Sequence, residues 1–139
     1  MSNAVILYRS KTGTTRQYAR EIGDYLTSKD VDVTLASIAE YREEMLDDVD
    51  YLFLGCWTSG LFVILQHPEK AWVDFAGSLP ALPDTEVALF TTYMLLTGSM
   101  FRNMAKHLTD RLNAPSLELK SRTGMLSEED KLALDRFIR

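Results

Sequence analysis

Short apolar runs recur along the chain at Ala4 to Tyr8, Val31 to Ile38, Tyr51 to Gly55, Val87 to Thr92 and Ser116 to Lys120, and segments with helical periodicity separate them. That alternation limits the fold more than any other feature, because strands that each return through a helix must run parallel in one sheet. The third and fourth runs are almost continuously apolar, as expected of central strands covered by helices on both faces. With 139 residues, the chain fits one domain, residues 1–139, with a core that needs no disulfide or structural metal.

The intervening segments are read as five helices. The first carries Tyr18, Ile22 and Leu26 on one stripe and leaves Arg16, Arg20, Glu21 and Asp24 for solvent. A weaker second spans roughly Ala39 to Asp47, and the third opens at Pro68, with Trp72, Phe75 and Leu79 turned inward. Phe101, Ala105, Leu108 and Leu112 give the fourth the clearest amphipathic spacing, with His107 at its margin. The last begins near Ser127, whose hydroxyl caps the first turn while Asp130 acts as the reciprocal capping residue.

Charge and composition remove several function classes. A net charge of −5 argues against nonspecific binding to nucleic acid or anionic lipid, both of which call for basic patches. The first strand starts almost at once and no apolar run is long enough for a bilayer, so no membrane insertion and a cytoplasmic location are expected. Cys56 is the only cysteine and the two histidines are far apart in sequence, so no metal site is expected.

The chemistry concentrates in the turn after the first strand. Ser10-Lys11-Thr12-Gly13-Thr14-Thr15 joins the first strand to the first helix and clusters four hydroxyls around a glycine. A helix N-terminus behind such a turn aims unpaired amides at an anion, and Lys11 and Arg16 add positive charge. A Walker loop would need a second glycine followed by lysine, so nucleotide triphosphate hydrolysis is a poor reading. The order hydroxyl, any residue, hydroxyl, glycine, any residue, threonine after a first strand resembles the FMN phosphate loop of the flavodoxin family.

The resemblance extends over the whole chain. Five strands alternating with helices fit a flavodoxin-like doubly wound α/β sheet, five-stranded and parallel, of order 2-1-3-4-5, with helices on both faces and the ligand beyond the strand ends. It implies FMN as cofactor, held by Ser10, Lys11, Thr12, Gly13, Thr14 and Thr15 at the phosphate. Gly55-Cys56-Trp57-Thr58-Ser59-Gly60 stands where the family has its second flavin loop, so Trp57, Thr58, Ser59 and Gly60 are expected near the ring. Trp57 is either a stacking surface for the isoalloxazine or a residue buried against the sheet end. Gly60 matches the position whose peptide reorients to hydrogen-bond the ring nitrogen protonated on reduction.

Thr91, Thr92 and Tyr93 begin the third loop, where Tyr93 offers a second stacking surface or packs on the fourth helix. The Gly-Asp pair frequent here in the family is missing. Leu61, Phe62, Met94 and Leu95 either form an apolar rim for partner docking or fold back as core. The acidic run from Glu40 to Asp50 is a solvated face or a steering surface for a basic partner.

The first functional reading is an FMN-binding electron carrier between a reductase and a partner redox enzyme, with no catalytic side chain of its own. Low potential of the reduced flavin would follow from an acidic, poorly hydrated pocket. The alternative is a small FMN-dependent reductase acting directly on a quinone or tetrapyrrole. Cys56 lacks the downstream arginine of small tyrosine phosphatases, Phe62 standing there instead, and is read as a buried residue. The strand ends lack the acidic residues of a receiver domain.

Overall fold

The computed structural model of the chain describes residues 2–58, 68–94, 97–108 and 110–138. Five strands, β1 (Asn3–Arg9), β2 (Asp32–Ser37), β3 (Tyr51–Trp57), β4 (Glu86–Thr92) and β5 (Leu117–Ser121), form one sheet in the order β2-β1-β3-β4-β5. Every neighbouring pair is parallel. Among the described residues the α-helices are α1 (Thr14–Ser28), α2 (Lys70–Gly77), α3 (Met100–Lys106) and α4 (Glu128–Phe137).

Alternation along the strands divides the core into two layers. Ile6, Phe53, Ala88 and Phe90 meet Tyr18, Ile22 and Leu26 of α1 and Leu134 of α4. On the other face, Leu7, Leu54 and Leu89 meet Trp72, Phe75 and Leu79 around α2, and Met100 and Met104 of α3. The helices thus cover both faces, which is why β3 and β4 contain buried residues at consecutive positions. Gly55 is required here: a Cβ at that position would lie 2.1 Å from the Phe90 ring.

Three helix expectations change in the structure. Residues 39–47 form no α-helix. Two single-turn 3-10 helices, Ile38–Glu40 and Glu43–Leu46, are separated by extended backbone at Tyr41 and Arg42. A reciprocal Ser37–Glu40 cap closes the first turn, and Tyr41 then places its ring edge-on to Phe75, 5.2 Å between centroids. The third helix starts at Lys70, not Pro68, because Glu69 takes the N-cap position. The fourth ends at Lys106, well short of Leu112.

In that fourth helix, α3, Met100 and Met104 are the buried residues, while Phe101 and Ala105, and Leu108 just beyond the helix, only border the core. Leu112 instead makes a parallel bridge to Leu82, so the apparent four-three-four period spans a helix and a separate extended contact. At the chain's end the expectation holds: Ser127 accepts from the Asp130 amide, and Asp130 returns the bond to the Ser127 amide, 3.2 Å. No described helix is long and apolar enough to cross a membrane.

Candidate flavin site

Parallel registration brings the strand ends to one edge. Arg9 lies opposite Cys56, Trp57 opposite Thr92, and Thr92 opposite Ser121. The turns after β1, β3, β4 and β5 therefore start side by side, and among the residues selected in the sequence the described ones, Ser10 to Thr15, Trp57, Thr58 and Thr91 to Tyr93, lie at that edge.

The first turn is organised by one glycine and one serine. Gly13 has φ 97°, a left-handed conformation that disfavours a side chain, and it precedes α1 as its N-cap. Ser10 Oγ accepts from the Gly13 amide at 3.0 Å and from the Arg16 amide at 3.4 Å, folding the loop against the helix start. The Thr12 and Thr14 hydroxyls are 3.5 Å apart. A Cβ built on Gly13 would meet nothing within 4 Å, so the space beside its backbone is open. Such a loop, ahead of a 15-residue helix, supplies amide donors and room for a phosphate.

Thr15 faces the other way. It is buried, and its hydroxyl lies 2.5 Å from that of Thr92, joining the start of α1 to the end of β4. Thr91 is likewise buried, donating to the Cys56 carbonyl at 2.6 Å and pairing with the Thr58 hydroxyl at 2.8 Å. The Thr58 amide donates to the Thr92 carbonyl, 2.7 Å. These four threonines form a seam beneath the loops, with their hydroxyls engaged by one another or by backbone.

Trp57 is half-buried and held by a group that sequence reading did not select. Its indole Nε1–H donates to Glu69 Oε2 at 2.7 Å, while Arg9 Nε and Nη2 donate to the same carboxylate at 3.1 Å each. The Arg9 and Trp57 hydrogen bonds hold the Glu69 carboxyl below the usual range, and the carboxylate in turn raises Arg9. Lys11 Nζ from the first turn sits 4.7 Å from the Trp57 ring centroid. On the adjoining loop, one residue past Thr92, Tyr93 is half-buried, with the Arg122 guanidinium 5.6 Å from its ring centroid.

Glu69 is 60 residues from Arg9 in sequence, and only the sheet register makes them neighbours. An acid at the start of the third helix was the sole local cue. Ser59, Gly60, Leu61, Phe62 and Leu95 lie outside the described residues. Met94, the one described residue of the expected apolar rim, is 85% exposed. Cys56 is buried, and burial pushes its thiol up to about 12.

A family model for flavodoxin matches residues 6–135, spanning all three loops. The chain belongs to the flavodoxin family. Among solved structures it is similar to two-electron reduced flavodoxin from Megasphaera elsdenii, with a TM-score of 0.73 and 21% identity over 92% of this chain and 93% of that one. A short-chain flavodoxin associated with a non-canonical PDU bacterial microcompartment matches with a TM-score of 0.69 and 22% identity, over 99% of this chain and 94% of that one. Oxidised flavodoxin 1 of Bacillus cereus gives 0.68 and 20%, over 98% and 94%. No curated protein matches the sequence significantly.

The family's cofactor is FMN, and its members transfer electrons to redox partners. The open space beside Gly13 and the start of α1, whose N-cap glycine carries no capping side chain, suit a phosphate ester. FMN supplies the redox chemistry; the protein supplies binding, orientation and electrostatics.

Proposed function

We propose that this flavodoxin is a cytoplasmic carrier that takes electrons from a reductase and passes them to a partner redox enzyme. Ser10, Lys11, Thr12, Gly13 and Thr14 hold the FMN phosphate, while Thr15, Thr58, Thr91 and Thr92 fix the base of the loops. The flavin ring lies between Trp57 and Tyr93, and Ser59 and Gly60 serve its edge. One observation carries this reading: Trp57 pairs in register with Thr92, so the two aromatic rings stand on adjacent loops, at the strand edge where the first turn also lies.

Arg9 and Glu69 orient the indole, and half-burial of both aromatics limits water at the ring. The apolar rim of Leu61, Phe62, Met94 and Leu95 receives the partner, and the exposure of Met94 supports that role. The same exposed methionine also favours a second reading, in which a hydrophobic small acceptor is reduced directly. Sustained turnover of a quinone without a partner protein would favour the reductase. Reduction that stops after one equivalent would favour the carrier.

FMN titration of the intact chain and of Gly13→Val tests the site. Tight binding is expected for the first and severe loss for the second, since the branched side chain extends into the open space and φ 97° disfavours it. Equal affinities would remove the phosphate from this loop.

A further inference from the structure

We propose that Lys11 and Arg122 form a cationic pair that favours the reduced, negatively charged flavin over the oxidised one, and the proposal rests on the ring site given above. Both aromatic residues assigned to the ring already carry a cation. Lys11 Nζ lies 4.7 Å from the Trp57 centroid and the Arg122 guanidinium 5.6 Å from that of Tyr93. The two charges come from different segments, one from the phosphate turn and one from the residue after β5, so they reach the site from two sides.

Local charge opposes overall charge. The protein carries −5 in total, and net charge alone predicts that a further negative charge on the flavin is disfavoured. At Trp57, however, the Glu69 carboxylate is paired bidentately with Arg9, which leaves Lys11 as the uncompensated charge of that group. Beside Tyr93 the Arg122 guanidinium, itself engaged in a further contact, also carries positive charge. The exposed acids Glu43, Glu44, Asp47, Asp48 and Asp50 belong to the connection from β2 to β3, and Glu40 of that connection shares a cavity with Arg9, Ser10, Gly13 and Arg16, on the phosphate side of the site. Screening by water and salt weakens exposed charges such as these more than charges held against the ring site.

The oxidised isoalloxazine is neutral. Adding two electrons and one proton from a reductant leaves one negative charge on the ring, so a nearby cation distinguishes the two states. Contacts to the phosphate are common to both states and cancel in the comparison. Lys11 can thus serve the phosphate turn and still bias the redox equilibrium through its charge beside Trp57.

The test is the ratio of dissociation constants for reduced and oxidised FMN, measured anaerobically with dithionite as reductant, in the intact chain, Lys11→Gln, Arg122→Gln and the double variant. Each single replacement should raise the ratio of reduced to oxidised dissociation constants about three- to tenfold at low ionic strength, and the double variant should approach the product. A tenfold change corresponds to a fall of about 30 mV in the two-electron midpoint. Lys11→Arg and Arg122→Lys should retain most of the ratio, which separates charge from lost packing.

Affinities for both states that fall together, leaving the ratio unchanged in both glutamine variants, would overturn the proposal while preserving the FMN site. Failure of the intact chain to bind FMN in either state would overturn the site itself, and the cationic pair with it.

Discussion

Replacing Glu69 with alanine removes the group that joins the ends of β1 and β3 to the start of α2. Three hydrogen bonds are lost: one from the Trp57 indole and two from Arg9. The Arg9 and Glu69 side chains are 40% and 31% exposed, so water screens their pairing to about 0.5–1 kcal/mol. The shorter indole bond to a charged acceptor adds about 1 kcal/mol. The sum, about 2 kcal/mol, should lower Tm by about 6 °C in a chain of this size. Glu69→Gln can still accept from the indole and should lose about half as much.

Thermal unfolding followed by fluorescence is the assay, with Trp57→Phe completing a double-mutant cycle. The Trp57–Glu69 coupling should be about 1 kcal/mol. The carboxylate is held low in the folded state chiefly by the Arg9 hydrogen bond, so its contribution is present in full above the unfolded-state value of about 4.3 and is lost as pH falls through the depressed folded-state value. The stability difference between the intact protein and Glu69→Gln should therefore be constant from pH 8 to about pH 5 and shrink only in stronger acid. A Glu69→Ala protein that melts with the parent, or a zero coupling energy, would refute the reasoning.

Other perturbations follow from the same packing. Cys56 should resist alkylation at pH 8 in the folded protein and react only on unfolding, because its thiol is buried and raised to about 12; stoichiometric labelling of the native state would contradict this. Gly124→Ala places a Cβ 2.9 Å from the Thr14 carbonyl at a φ of 85°. It should cost about 2 kcal/mol in thermal unfolding and weaken FMN binding, since Thr14 opens α1 beside the phosphate turn. Asp130→Ala removes the acceptor of the buried Tyr18 hydroxyl and half of the α4 cap, and should cost about 2–3 kcal/mol. Adding Tyr18→Phe should recover part of that loss, because no hydroxyl is then left buried without a partner.

The sheet was legible in the sequence because each strand is a short apolar run bounded by polar turns, and the α4 cap because Ser127 and Asp130 are local to one turn. Errors came where apolar spacing had two origins. Leu112 continues the rhythm of α3 but belongs to a bridge with Leu82, and Tyr41 answers to Phe75 across the chain rather than to helical neighbours. At the proposed site, the turn assigned to the phosphate is contiguous and can be read from the sequence alone, whereas Arg9, Glu69 and Arg122 acquire meaning only from register. Thr15, Thr91 and Thr92 were selected as ligands, but no sequence pattern disclosed that their hydroxyls would bond within the protein.

The central claim is that the turn from Ser10 to Thr15 seats a phosphate. Titrating the intact protein with FMN and with riboflavin, which differ only in that phosphate, tests it directly. The account predicts one-to-one FMN binding at least about a hundredfold tighter than riboflavin, in keeping with several charge-assisted bonds to one dianion. Equal affinity for the two flavins would contradict it.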